Sequence, residues 1–67
     1  MNAILLNGTR TELPAGWRIA DLLLDLGYRS RRVAVECNGV IVARRAYETT
    51  RLAAGDRIEI VIAVGGG

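Results

Sequence analysis

Asn-Gly occurs at Asn7-Gly8 and again at Asn38-Gly39, and each pair is flanked by short runs rich in apolar residues. Both residues of this dipeptide tolerate the positive φ that a two-residue hairpin turn demands, so it is the strongest short-range signal for a β-hairpin. In the first hairpin Ala3 to Leu6 lead in and Thr9 to Leu13 return, before Pro14-Ala15-Gly16 breaks the chain. In the second, Val33, Val35 and Cys37 alternate with Ala34 and Glu36, and Val40 to Val42 form the partner strand.

A helix is predicted between the hairpins. Ile19, Leu22, Leu23 and Leu26 stand at i, i+3, i+4 and i+7, one helical face. Gly27 suits the position that closes a helix in the left-handed conformation. Arg18 falls at the N-cap, where it is a poor cap; Asp21 in the first turn compensates by facing the positive end of the helix dipole. At about three turns the helix depends on tertiary packing. Asp21 and Asp25, four apart, read as a solvated helix face rather than an acid–base pair.

Arg44 to Thr50 is polar and irregular, compatible with a short helical turn around Tyr47. Leu52 is a predicted core residue ahead of the turn Ala54-Gly55-Asp56. Arg57 to Val64 forms the last strand, with Ile58, Ile60 and Ile62 on one face. The order is strand, strand, helix, strand, strand, turn, strand. That pattern predicts an α+β fold with one main helix packed on one face of a sheet.

The chain has 67 residues. A domain of this size buries only about 60% of its unfolded surface, which leaves little chain for an active-site pocket beside a core. Hydrophobic residues make up 51%, enough for one core and too many for disorder. All nine basic residues are arginine, and histidine is absent. The chain therefore has no amine nucleophile on a lysine, no imidazole base and no histidine metal ligand, which argues against an enzyme. Charge alternates in sign, with Arg31-Arg32 and Arg44-Arg45 the densest basic spots and Trp17, Tyr28 and Tyr47 the only aromatics. A nucleic-acid surface needs a stronger basic stripe with stacking aromatics, so no nucleic-acid partner is expected. One cysteine excludes an intramolecular disulfide and fits a reducing cytoplasm. No apolar run is long enough for a signal peptide or a membrane span. Cys37 reads as a small core residue of an apolar strand. Trp17 is either a partner contact or a cover over the core at the helix entry.

Gly65-Gly66-Gly67 follows the apolar last strand. Glycine loses the most entropy on ordering and has no side chain to pack. On the residues alone the run is either a frayed end or an extension reaching roughly 10 Å, thin enough to thread a channel that side chains would block. Its last carboxylate is ionised at neutral pH, with a reference pKa of about 3.5.

The chain resembles the ubiquitin-like β-grasp proteins, and more narrowly the ThiS family of thiamine-biosynthesis sulfur carriers. The resemblance rests on Asn7-Gly8, on Ile19-Ala20-Asp21-Leu22-Leu23, and on Val33-Ala34-Val35-Glu36-Cys37-Asn38-Gly39. It continues through Leu52, Gly55-Asp56-Arg57-Ile58-Glu59-Ile60 and Val64-Gly65-Gly66-Gly67. Arg18, where the family often has threonine, departs from the pattern and puts only helix capping in doubt. The resemblance implies a mixed sheet of four to five strands, with residues 1–64 as a β-grasp domain and 65–67 as a flexible tail. It also implies that the chain is a carrier and not an enzyme. An E1-like adenylating enzyme, using ATP with magnesium, activates the Gly67 carboxylate. A persulfide donor converts it to a thiocarboxylate, and thiazole synthase takes the sulfur. Gly65 and Gly66 give steric access, and the chain itself binds no cofactor or metal.

Leu5, Val61 and Ala63 fall on the strand face opposite the predicted core. With Val64 they are the expected docking surface for the partner enzymes, against the alternative that they are ordinary exposed apolar surface. Related possibilities are a carrier for molybdopterin synthesis or tRNA thiolation. A protein modifier is another; without lysine it could not form lysine-linked chains of itself.

Overall fold

Both Asn-Gly pairs adopt the conformation that the dipeptide predicts. Asn7 and Gly8 have φ of 49° and 83°, and Asn38 and Gly39 have φ of 54° and 84°. Each reverses the chain between two antiparallel strands, as the primed two-residue turns do. The computed structural model describes residues 1–28 and 32–62. It contains β1 (Asn2–Leu6), β2 (Thr9–Leu13), α1 (Ile19–Leu26), β3 (Val33–Cys37), β4 (Val40–Val42), a 3₁₀ turn (Arg44–Ala46) and β5 (Arg57–Ile62).

The strands form one mixed sheet in the order β2-β1-β5-β3-β4. The last strand thus lies between the first strands of the two hairpins. It runs parallel to β1, with Leu5 opposite Arg57, and antiparallel to β3, with Val35 opposite Ile60. This is the five-stranded β-grasp arrangement, with one helix packed on one face.

Alternation decides which face is dry. Ile4, Leu13, Val33, Val35, Ile58 and Ile60 point to the helix side and are buried with Ile19, Leu22 and Leu23 of α1. Tyr47 and Leu52 complete the buried cluster from the segment before β5. Burying each such side chain contributes about 1.5–3 kcal/mol relative to exposure, and a chain this small depends on every one of them.

Capping shows how the departure at Arg18 is accommodated. An arginine side chain has no acceptor to offer the first turn. Instead the Ile19 N–H donates to the Thr50 carbonyl at 3.0 Å and the Ala20 N–H to the Tyr47 carbonyl at 2.9 Å. Asp21 reaches back and accepts from the Arg18 N–H at 2.8 Å, which is half of a capping box. At the other end Gly27, at φ 80°, donates to Leu24 and Tyr28 donates to Leu23. That pair of bonds is a Schellman closure.

Two expected core residues are displaced from the core. Leu26 is 39% exposed, because the closure turns the chain back and Tyr28, not Leu26, packs against the cluster. Ile62 is 47% exposed. The ladder with β1 covers only Arg57 and Ile58, so the far end of β5 has a strand neighbour on one side alone.

Candidate functional site

The candidate site is β5 and what it presents on the uncovered face of the sheet. Backbone pairing with β3 runs from Ile58 to Ile62, and two asparagines reinforce the strand on both sides. After β1 the Asn7 N–H donates to the Ile58 carbonyl at 2.8 Å. The turn then carries the backbone away, and the Asn7 side chain continues the ladder at Ile60. Across the sheet Asn38 binds Arg57 through both backbone and side chain. β5 is therefore the central strand and is fixed from its first residue. Ala63, Val64 and Gly65 to Gly67, all named above as site residues, lie outside the described residues.

On the uncovered face Val61 is 62% exposed and Leu5 is 41% exposed. The register separates them. Leu5 stands beside Arg57 and opposite Arg10. Val61 stands four residues further along β5, about 13 Å at the rise of a strand, and opposite Ala34. Between them Glu59 sits opposite Glu36, and Glu36 in turn opposite Ile41. Among the described residues the face therefore carries apolar islands within a charged surround rather than one continuous patch. Ile41, 74% exposed on the same face, is a further apolar residue there, and its alternation with Val40 and Val42 is the sequence signal that places it. Among the described residues the one ion pair is Arg10 with Glu12, at 3.9 Å.

Cys37 is partly buried and packs against the core. Burial, with the Asp56 carboxylate beside it, pushes its thiol above the ordinary value. A thiol held protonated is a weak nucleophile, so the geometry favours the structural role over sulfur relay. Trp17 is likewise half-buried against the core, and its carbonyl accepts from the Leu52 N–H at 2.8 Å. It covers the helix entry.

A groove of about 400 Å³ lies between α1 and the 3₁₀ turn, with Leu24, Tyr28, Tyr47, Arg44, Arg45 and Glu48 among its walls. Among the described residues that line it, no nucleophile is paired with a base. Among the described residues no cluster of three acidic, cysteine or histidine side chains could hold a metal ion. No helix among them is long and apolar enough to cross a membrane.

Comparison with known proteins narrows the reading. The model of the ThiS family matches residues 4–67. A thiazole synthase of Paramagnetospirillum magneticum is 39% identical over 64 residues, covering 96% of this chain and 20% of that protein. The chain thus spans about a fifth of that relative's length. An uncharacterized protein of Porphyra purpurea, ycf40, is 31% identical over 65 residues and is covered over 92% of its length. Among solved structures, the crystal structure of a thiamine biosynthesis protein (ThiS) from Geobacter metallireducens superposes with a TM-score of 0.82 at 28% identity. That match covers 97% of this chain and 99% of the other. With the family's pattern running from Ile4 through Gly67 and the same architecture in a solved member, the chain belongs to the ThiS family.

Proposed function

We propose that this chain is a sulfur carrier for thiazole formation in thiamine biosynthesis, and that its cargo is held on Gly67. The observation that carries the reading is the family match, which runs through the glycines to Gly67. The similarity to one fifth of a thiazole synthase supports a unit that works beside thiazole formation.

The chemistry needs little from the folded domain beyond presentation. A carboxylate is a poor electrophile. An E1-like adenylating enzyme with ATP and magnesium corrects this: a Gly67 carboxylate oxygen attacks the α-phosphorus and pyrophosphate leaves. The terminal sulfur of a persulfide donor then attacks the carbonyl carbon and expels AMP. A thiol cleaves the resulting S–S bond and leaves a thiocarboxylate on Gly67. Its sulfur is a stronger nucleophile than the oxygen it replaces, and thiazole synthase consumes it.

In this reading the chain is a substrate of its partners and not a catalyst. Gly65 and Gly66 let the tail enter a narrow site, because no side chain obstructs it. β5, held on both sides as far as Ile60, gives the partner enzymes a fixed strand to dock on. Leu5, Val61, Ala63 and Val64 contribute the docking contacts. ATP, a persulfide and a free thiol are supplied together in a reducing cytoplasm.

The test is reconstitution. The purified chain, an adenylating enzyme, ATP, a persulfide source and thiazole synthase should together form the thiazole, and omission of the chain should stop it. Sulfur delivery to a molybdopterin synthase instead, with no thiazole formed, would assign the carrier to the other pathway.

A further inference from the structure

The two Asn-Gly turns have the same backbone but hold their asparagines against different neighbours. The Asn38 side chain accepts from the Arg57 N–H at 2.9 Å and donates to Asp56 Oδ1 at 3.0 Å. Its second amide hydrogen faces Cys37 Sγ at 3.7 Å. Asp56 in turn accepts from the Ala53 N–H at 2.8 Å through Oδ2. One neutral amide therefore joins the second hairpin to the turn that begins β5. At the first hairpin Asn7 accepts from the Ile60 N–H at 2.7 Å and donates to the Ile60 carbonyl at 3.3 Å. Those bonds are partly buried, whereas those of Asn38 are open to water.

Asn-Gly is also the dipeptide in which backbone attack on the side chain is least hindered. The nitrogen of the following glycine attacks the asparagine Cγ, ammonia leaves, and a cyclic imide forms. Water opens the imide to aspartate or isoaspartate. Gly39 stands at φ 84° and Asn38 at φ 54°, a pairing that few other residues tolerate. The turn that makes the hairpin thus favours the labile sequence. While both ends of the Asn38 amide are bonded, its Cγ cannot swing onto the Gly39 nitrogen; local opening at the water-exposed clamp frees it.

We propose that Asn38 is a deamidation site of the folded protein, and that the acid formed there faces the Asp56 carboxylate and weakens the hold of the second hairpin on the turn that begins β5. The product loses the donor and sets two negative charges at hydrogen-bond distance, which is repulsive. The same change at Asn7 brings no second charge, because its donor meets a carbonyl.

The test ages the full chain at 37 °C in mildly alkaline native buffer and in urea, and locates by peptide mapping the mass gain of amide-to-acid hydrolysis. Asn38 should convert before Asn7 in native buffer, at least about tenfold more slowly than in urea, as reaction through local opening requires. In urea unfolding, Asn38→Asp should lower the midpoint. The double variant Asn38→Asp with Asp56→Asn should recover most of that loss, because an amide at 56 then donates to the carboxylate at 38. Conversion of Asn7 first, or a native rate equal to that in urea, would overturn the proposal. So would wild-type stability of Asn38→Asp or no recovery in the double variant. If Asn38→Asp does not fold, the midpoint of aged wild-type chain, resolved by mass, gives the same comparison.

Discussion

The side chain of Asn7 holds both backbone groups of Ile60, accepting from its N–H at 2.7 Å and donating to its carbonyl at 3.3 Å. A side-chain amide thereby substitutes for one residue of a parallel strand at the point where the turn leaves the sheet. Asn7→Gly keeps the left-handed backbone and removes only this clamp. It should cost about 1–3 kcal/mol, since the partly buried Ile60 groups lose their partner. Asn7→Ala should cost about 1–2 kcal/mol more, for the positive φ. Urea unfolding of both variants measures the difference, and a glycine variant as stable as the parent would show the clamp to be idle.

Arg18 at the helix N-cap offers no acceptor, and the loop carbonyls of Tyr47 and Thr50 leave a capping site unused. Arg18→Ser should stabilise the fold by about 0.5–1 kcal/mol, because a hydroxyl can accept from the first turn. Asp21→Ala should destabilise by a similar amount through loss of its bond to the Arg18 N–H. Thermal unfolding of the two variants should move in opposite directions.

Much of this fold is legible in local residue patterns. The hairpins follow from Asn-Gly, the helix from the spacing of Ile19, Leu22 and Leu23, and its end from Gly27. What is not legible depends on distant parts of the chain. Tyr47, 4% exposed, lies in a polar run whose neighbours conceal it, and only the packing of that loop against α1 draws it into the core. Leu26 and Ile62 match their periodic patterns, yet the limits of helix and sheet leave them half exposed. At the site, Leu5 and Val61 share a face, as alternation requires, but their separation follows from the β1–β5 register, which no local signal encodes.

Cys37 makes stability sensitive to alkaline pH. Its thiol pKa is raised by burial first and by the Asp56 carboxylate second. A group whose folded pKa lies above its unfolded value contributes stability that is complete below the unfolded pKa, about 8.5 for cysteine, and is lost as pH rises through the folded value. The urea midpoint of the wild type should therefore fall above about pH 8.5 more steeply than that of Cys37→Ala. Parallel pH profiles would reject the assignment. Sulfur loading should be unchanged in Cys37→Ala, because the proposed chemistry does not pass through this thiol.

Val61 tests the docking face. It is exposed and pairs with Ala34 on the uncovered side of the sheet. Val61→Asp should alter stability by less than about 1 kcal/mol and lower kcat/KM for loading by roughly tenfold, the scale of a mid-strength interface contact. Leu5→Asp probes the separate island beside Arg57. Unchanged loading kinetics in both variants would move the docking surface off this face.

The central claim is that Gly67 carries the sulfur. Its most direct test is the intact mass of the protein after incubation with an adenylating enzyme, ATP, magnesium, a persulfide source and a thiol. The account predicts a gain equal to one oxygen replaced by sulfur, located on the C-terminal peptide and absent when Gly67 is deleted. An unchanged mass with an enzyme proven active on another ThiS-family carrier, or a gain that survives deletion of Gly67, would contradict it.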